Sequence, residues 1–172
     1  MSQRNGLTIG DLADRTGLGQ GVDLSREMLS VARANLDSAG LSHCQVRQAD
    51  IMQLPFPAET FDLVTLHQIL HFLPDPARAI EAAAQMIRPG GTVLIIDFAP
   101  HELEYMRSDF AHARLGFSHE SVSGWMTANG LDVEKISDLS SDNSQDKTLT
   151  VSIWLGKDPR ILMAGDNSAS IA

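Results

Sequence analysis

The chain has 172 residues, of which 43% are hydrophobic and 20% charged, with a formal net charge of −9 and a pI near 4.9. This length suits one domain with a sizeable core, and the acidic balance argues against nucleic acid as a partner, because phosphate backbones require clustered Lys and Arg. A single cysteine, Cys44, excludes an internal disulfide, and no apolar run is long enough to span a bilayer. We therefore expect a cytoplasmic protein without a membrane partner.

Short apolar runs alternate with amphipathic stretches from Gly21 onward. The segment GVDL predicts the end of a strand, and residues 25–40 predict a helix that begins at an N-cap Ser25 and stops at Gly40. One face of this helix is expected to carry Met28, Leu29, Ala32 and Leu36.

The middle of the chain continues the alternation. CQVRQADI predicts a second strand, and FDLVTL predicts a buried strand after it. DPARAIEAAAQMIR predicts a helix with Pro76 in its first turn, and PGG is expected to make a turn into TVLIIDF, a strand covered on both faces. Strand–helix–strand alternation implies right-handed βαβ units, so we predict an α/β fold with a mostly parallel sheet.

The later part of the chain differs in character. HELEYMRSDFAHARLGF predicts a mixed helix, and SHESVSGWMTANG predicts a capped helix that ends at Gly130. LDVEKISDL and LTVSIWLGK predict an antiparallel hairpin at a sheet edge, separated by the polar turn SSDNSQDK. We expect Trp125 and Trp154 to pack into the core.

Polar residues follow three of the predicted strands, where ligands bind in open α/β sheets. Asp23 ends GVD, Asp50 ends CQVRQAD, and His67 with Gln68 follows FDLVTL. A carboxylate at Asp23 can accept hydrogen bonds from both hydroxyls of a ribose, and Asp50 can accept one from an adenine amine beside the Ile51 backbone. The alternative is that both aspartates only cap helices or turns.

These segments together resemble a known family. The series GVDLSREMLSVARANL, QADIMQLPFPAETFDLV and HFLPDPARAIEAAAQMIRPGGTVLIIDF is similar to class I S-adenosylmethionine-dependent methyltransferases, over residues 21–157. Within that class, the chain resembles the type 11 (UbiE-like) methyltransferases of the kind fused to ArsR-type regulators. DFAPHELEYMRSDFAHARLGFSHESVSGWM is similar to the segment that follows the fifth strand there.

The resemblance implies a fold, a cofactor and a set of site residues. The fold is a Rossmann-like three-layer sandwich, the cofactor is S-adenosylmethionine and the methyl acceptor is a small molecule. His67 is the one candidate for a catalytic base. The implied cofactor-binding residues are Asp23 for the ribose, Leu24 for the adenine face, Asp50 and Ile51 for the adenine edge, and His67 with Gln68 near the methionine.

The glycines of TGLGQG do not fit the family's glycine-rich loop. In the family, a helix and a strand separate that loop from the ribose-binding acid, which follows about 20 residues later. Here Asp23 follows Gly21 by two positions and Gly17 by six. We therefore expect that GLGQG is not the cofactor loop, and that cofactor binding is impaired at the methionine end.

Two explanations remain for the segment before Gly21. In the first, residues 7–9 are a degenerate first strand, and the 11 residues from there to Gly21 are a shortened crossover, close to the lower limit of about 10–12. In the second, which the sequence favours, LTIGDLADRTGLGQ is a remnant of an ArsR-like helix-turn-helix, and the chain is an internally deleted fusion. The domains are then residues 1–20 (remnant), 21–157 (methyltransferase-like) and 158–172 (flexible tail).

Other functions remain open beside methyl transfer. A truncated chain can act as a pseudoenzyme that binds a partner or forms a homodimer, and the N-terminal segment alone points to a DNA-binding regulator fragment. HQILH, residues 67–71, resembles the H-E-x-x-H zinc helix, but Gln68 replaces the general base and no third ligand is evident. We therefore predict no metal site, and an unreactive thiol at Cys44.

Overall fold

The computed structural model describes residues 17–140 and 149–161. The strands in these residues are β1 (Gly19–Asp23), β2 (Cys44–Gln48), β3 (Phe61–His67), β4 (Ile87–Phe98), β5 (Asp132–Leu139) and β6 (Val151–Lys157). The helices are α1 (Arg26–Ser38), α2 (Pro76–Met86), α3 (Tyr105–Phe110) and α4 (His119–Ala128), with a 3-10 turn at Leu70–Phe72. No helix in these ranges is both long and apolar enough to cross a membrane.

The described strands form two sheets. Strands β1 and β2 pair in parallel, and the second sheet has the order β3-β4-β6-β5. Strands β3 and β4 are parallel, whereas β6 runs antiparallel to both of its neighbours. The predicted α/β fold class and the C-terminal antiparallel hairpin at the sheet edge are therefore confirmed. Residues 7–9, which are a degenerate first strand in one of our two explanations, lie outside the described residues.

Side-chain caps explain where three of the helices begin. The hydroxyl oxygen of Ser25 accepts a hydrogen bond from the Met28 amide (3.2 Å), and Pro76 follows a capping aspartate at the start of α2. Ser118 caps α4, as the sequence predicted. Such caps satisfy amides that have no partner within the helix and stabilise it by about 1 kcal/mol each. The predicted face of α1 is partly wrong, because Leu29 and Leu36 are buried but Met28 is 56% exposed.

Three boundaries differ from the sequence predictions. Strand β1 begins at Gly19, two residues before the predicted domain boundary, and β4 begins at Ile87, so that it includes the predicted PGG turn. Only residues 105–110 of the predicted mixed helix are helical, because Ala111 adopts a left-handed conformation (φ 56°) that ends α3. The remainder of residues 99–117 forms a loop over the carboxyl end of β4, stabilised by backbone hydrogen bonds.

The main core lies between the larger sheet and helices α2 and α4. Trp154 is fully buried at its centre, and Trp125 packs against the cluster from α4, so both tryptophans lie where the sequence predicted. Fully burying one large apolar side chain contributes about 1.5–3 kcal/mol. The other fully buried apolar members include Leu70, Ile80, Ile87, Val93, Ile95, Val122 and Met126.

A buried carboxylate attaches the turn after β3 to the end of β4. Asp97 is fully buried and accepts hydrogen bonds from the amides of Leu70 (2.9 Å) and Phe98 (2.8 Å) and from Nδ1–H of His71 (2.7 Å). The carbonyl of His71 in turn accepts hydrogen bonds from the amides of Ala113 and Arg114. Asp97 therefore holds both the 3-10 turn and, through His71, the loop of residues 99–117.

Gly116 allows this loop to approach the end of β4. It has a φ of +82°, and a Cβ at this position would collide with the carbonyl oxygen of Ala99. The neighbouring Phe117 amide donates to the carbonyl of Phe98 (2.9 Å), which fixes the approach. A residue with a side chain would both strain the backbone and push the loop away from the sheet.

Replacing Asp97 with Ala should lower the free energy of unfolding by about 3–5 kcal/mol, because the change leaves buried donors without an acceptor. The matched control is Asp62→Ala, which removes an exposed ion pair with Arg88 and should cost less than about 1 kcal/mol. Urea unfolding of both variants measures the difference. Equal losses in the two variants would contradict the role assigned to Asp97.

Replacing Gly116 with Ala should cost about 2–4 kcal/mol, from the left-handed backbone and the collision with Ala99. Gly124 is the matched control, since it lies inside α4 and an added Cβ meets nothing within 4 Å. Gly124→Ala should raise stability by about 0.5–1 kcal/mol through helix propensity. In both thermal and urea unfolding, the midpoint should therefore fall for Gly116→Ala and rise for Gly124→Ala.

Candidate functional site

Asp23 lies at the carboxyl end of β1, as predicted. Its side chain is partly buried, and one oxygen accepts a hydrogen bond from the Ser25 amide (2.7 Å). A carboxylate has about four acceptor positions, so this contact leaves capacity for the hydroxyls of a ribose. Leu24 is 62% exposed beside it, which leaves an apolar surface available for a flat ring.

Asp50 lies two residues beyond the end of β2, in a turn. Its carboxylate accepts a hydrogen bond from the Met52 amide (2.9 Å). Parallel pairing places Asp23 opposite Gln48, so both aspartates lie at the same edge of the small sheet. Each aspartate therefore makes the local turn contact that we considered as the alternative to ligand binding. Both side chains retain further acceptor capacity.

The turn that carries Asp50 also contacts the larger sheet. Ile51 and Met52 pack against the core cluster that includes Leu66 and Leu70. Leu66 is the neighbour of His67 in β3. This packing therefore places the predicted adenine-binding turn against the end of β3, where His67 lies.

His67 is the last residue of β3 and pairs with Ile96 of β4. Burial lowers the pKa of His67 below its ordinary value, and the nearby Asp97 carboxylate partly opposes this shift. The imidazole is therefore neutral near pH 7 and able to accept a proton. Gln68 follows with a positive φ of 49°, and its amide donates to the Ile96 carbonyl (2.7 Å), so the chain turns away from the sheet at this point.

The glycines of GLGQG have a structural explanation. Gly19 and Gly21 lie inside β1 and do not form a loop. A Cβ at Gly19 would stand 2.6 Å from the sulfur of Cys44 on β2, so the close packing of the two strands requires glycine there. Gly19 and Gly21 therefore belong to the pairing of β1 with β2, and Cys44 itself is buried.

The zinc-helix pattern of residues 67–71 does not form. His67 belongs to a strand, Gln68 is left-handed, and His71 lies in a 3-10 turn with its ring bonded to Asp97. The two histidines are therefore not one turn apart on a helix. Among residues 17–140 and 149–161, no three His, Cys, Asp or Glu side chains form a group that could hold a metal ion.

The sequence predictions missed a histidine cluster at the carboxyl end of β4. The rings of His71 and His112 lie 4.1 Å apart, and both contact Phe98, which also contacts His101. Asp97 could have been found from the sequence, because it follows the apolar residues of the strand TVLIID in the same way that Asp23 and Asp50 follow theirs. The histidines had no such signal, since the loop of residues 99–117 brings them together.

Two clefts of about 400 and 520 Å³ lie elsewhere in the described part of the chain. The first is bordered by residues that precede β3 and follow β6, including Glu59 and Arg160, and the second includes Arg88 at the start of β4. Both are at the end of the larger sheet opposite His67. The polar residues at strand ends therefore define the candidate site better than cavity size does.

Comparison with known proteins shows the family of the chain. A family model described as a methyltransferase domain matches residues 4–95, more than half of the chain. A demethylmenaquinone methyltransferase from Bacillus licheniformis is 33% identical over 97 residues, which are 56% of this chain and 41% of the relative. A phosphatidylethanolamine N-methyltransferase from Cereibacter sphaeroides is 36% identical over 107 residues, or 61% of this chain and 51% of the relative. The chain thus spans about half the length of the curated relatives it matches.

Solved structures share the fold over nearly the whole chain. The YcgJ protein from Bacillus subtilis superposes with a TM-score of 0.71 at 17% identity, covering 91% of this chain and 90% of that one. A geranyl diphosphate methyltransferase in complex with S-adenosylmethionine gives a TM-score of 0.73 at 14% identity, covering 89% and 75%. The fold is that of Rossmann-like methyltransferases, and S-adenosylmethionine is the cofactor that the family implies. From the family match, the chain belongs to the methyltransferase domain family.

Proposed function

We propose that this chain transfers a methyl group from S-adenosylmethionine to a small organic acceptor. The observation that carries the proposal is the placement of Asp23, Asp50 and His67 at the carboxyl ends of three strands, with the Asp50 turn packed against the unit that bears His67. The names of the two relatives describe different acceptors, a quinone-type molecule and a phospholipid. The family therefore leaves the acceptor open.

The described residues fit the adenosine half of the cofactor. Asp23 would hold the ribose, Leu24 would cover one face of the adenine, and Asp50 with the Ile51 backbone would bind its edge. The acceptor capacity of both carboxylates and the exposure of Leu24 support these roles. When bound, the cofactor supplies a methyl group that is already activated by a positively charged sulfur.

His67, with Gln68 beside it, would lie near the methionine end. A neutral imidazole at the end of β3 can take the proton that an acceptor loses. Methyl transfer otherwise depends mainly on holding the two reactants in line, so a single weak base is sufficient. The lowered pKa of His67 supports this role because it keeps the ring unprotonated at neutral pH.

We further propose that residues 6–20 lack the loop that holds the methionine end. The strand conformation of Gly19 and Gly21 supports this, since these two glycines of GLGQG lie in β1. The family match includes residues 4–20, which favours a part of the methyltransferase domain over an ArsR-like remnant as the origin of this segment. An inactive, partner-binding role is the alternative if the cofactor does not bind.

The ribose assignment predicts a loss of affinity in two variants. Asp23→Ala should weaken binding of S-adenosylhomocysteine by about 1.5–3 kcal/mol, the range for hydrogen bonds to charged groups. Asp23→Asn should also weaken it, while its side-chain oxygen retains the turn contact with Ser25. Titration calorimetry measures both, with the exposed helix variant Asp37→Ala as the control. Unchanged affinity in both Asp23 variants would remove the assignment.

The missing loop predicts poor discrimination at the methionine end. Adenosine and S-adenosylhomocysteine should bind with similar, weak affinity, because the proposed hydrogen bonds of Asp23 and Asp50 reach only the adenosine that the two ligands share. Calorimetry with the two ligands tests this, and a large preference for S-adenosylhomocysteine would show that another segment holds the methionine. Strong protection of the Thr8 and Ile9 amides from hydrogen exchange at high dilution would separately support a first strand at residues 7–9.

A further inference from the structure

Three exposed aromatic side chains lie on the turn after β3 and the loop after β4. The chain contains two Trp, one Tyr and six Phe, all of them among the described residues. Phe72, Tyr105 and Phe110 are 46%, 50% and 45% exposed, whereas the other aromatic side chains are buried or half-buried. Single exposed apolar residues are ordinary, but large apolar side chains collected in one region indicate a contact surface. These three side chains are called the aromatic surface below.

Hydrogen bonds hold the turn that carries Phe72 against the loop after β4. The neighbouring His71 accepts the amide of Arg114 at its carbonyl (3.1 Å). The guanidinium of Arg114 also donates to the carbonyl of Pro74 (3.0 Å), two residues beyond Phe72. The loop is therefore bound to the chain on both sides of Phe72.

Helix α3, which carries the other two rings, is attached to the same loop. The guanidinium of its Arg107 donates to the carbonyl of Ala113 (2.7 Å), and the carbonyl of its Met106 accepts the amide of His112 (3.1 Å). The ring of His112 in turn contacts the ring of Phe72, at 5.2 Å between centroids. The aromatic surface therefore stands on one hydrogen-bonded unit. Side chains that are ordered in advance lose little entropy when a ligand packs on them.

The composition of α3 makes a lipid bilayer an unsuitable partner for these rings. Helices that bind a bilayer surface combine a long apolar face with a polar face rich in Lys and Arg. Helix α3 has six residues and one basic side chain, Arg107. The net charge of −9 opposes both attraction to anionic lipids and association with a second copy of the chain. These features favour a small ligand that packs on the rings.

The order of the strand ends places the aromatic surface beyond His67. Asp23 and Asp50, the proposed adenosine contacts, lie at the end of the small sheet, and the Asp50 turn packs at the end of β3. The aromatic surface follows β3 and β4, which are neighbours in the larger sheet. In-line transfer requires the acceptor to approach the methyl carbon from the side opposite the sulfur, so donor and acceptor need separate surfaces. With the adenosine at the small sheet and the methionine near His67, the aromatic surface is left for the acceptor.

We propose that the aromatic surface binds the methyl acceptor, and that this acceptor carries a planar aromatic ring system. The inference rests on the proposed methyl transfer, because that reaction is what makes the ligand a methyl acceptor. Offset or edge-to-face packing of two aromatic rings raises affinity about 2- to 12-fold beyond the effect of the apolar area that is buried. Phe72, Tyr105 and Phe110 therefore determine specificity, and proton transfer stays with His67.

Two probes with the same carbon skeleton test the proposal on the full chain. 2-Naphthol is planar and aromatic, whereas 2-decalol carries the same hydroxyl group on the saturated skeleton. We expect the wild-type protein to bind 2-naphthol about 5- to 10-fold more tightly in an NMR titration, the effect of packing on aromatic rings. The ring resonances of His67 should shift when 2-naphthol binds, because the acceptor lies beside that residue.

Substitutions of Phe72 separate ring packing from general apolar burial. Phe72→Leu keeps an apolar side chain without the ring, so the preference for 2-naphthol should fall about 3-fold. Phe72→Ala should weaken 2-naphthol binding about 5- to 10-fold. The control is Ile161→Ala, which removes an exposed apolar side chain at the opposite end of the larger sheet and should leave both affinities unchanged. If the Phe72 variants fail to fold, nuclear Overhauser contacts between 2-naphthol and the Phe72 ring of the wild-type protein decide.

Five results would overturn the proposal. The first three are equal affinity of the wild-type protein for the two probes, a preference that both Phe72 variants retain, and binding that leaves the His67 resonances in place. The fourth is binding to phosphatidylcholine vesicles that Phe72→Ala abolishes, which would assign the aromatic surface to lipid. The fifth is a dimer in sedimentation velocity that the same substitution dissociates, which would assign it to a second copy of the chain.

Calorimetry with S-adenosylhomocysteine separates this inference from the proposed function. If S-adenosylhomocysteine binds and 2-naphthol does not, the inference about the aromatic surface fails alone. If S-adenosylhomocysteine does not bind, the proposed methyl transfer fails, and the assignment of the ligand as a methyl acceptor fails with it.

Discussion

The hydrogen bonds to Asp97 organise the candidate site. This carboxylate lies at the end of the central strand β4 with no exposure to solvent, where an ionised group is costly unless it is fully paired. Its three hydrogen-bond donors are the backbone amides of Leu70 and Phe98 and the ring of His71. These hydrogen bonds hold the turn after β3 against β4. They also restrict the position of His67, which lies three residues before that turn.

Through His71, the Asp97 carboxylate also fixes the loop of residues 99–117. Because Nδ1–H of His71 is bound to Asp97, the backbone of His71 is fixed, and its carbonyl accepts the amides of Ala113 and Arg114. Gly116 then removes the side chain that would prevent closure. The polar residues Asp23, Asp50 and His67 lie at strand ends, whereas the loop of residues 99–117 depends on one carboxylate and one glycine.

This division explains what the sequence could predict. The strands, the capped helices and the polar residues at Asp23, Asp50 and His67 have local signals, namely periodicity, capping residues and strand ends, and the structure places them as expected. The predicted extent of α3 was wrong because Ala111 adopts a left-handed backbone conformation. Alanine rarely adopts this conformation, and no local sequence pattern predicts it here. The cluster of His71, His101 and His112 was missed because contacts across a folded loop leave no spacing in the sequence.

The strand-end aspartates and Asp97 differ in how much of the chain each one holds. Asp23 and Asp50 each accept a hydrogen bond from an amide two residues later, and these contacts hold one local turn apiece. Asp97 is fully buried and accepts three hydrogen bonds, one of them from the ring of His71. Loss of Asp97 therefore releases both the turn after β3 and the loop of residues 99–117, whereas loss of Asp23 or Asp50 releases a single turn at the edge of the small sheet.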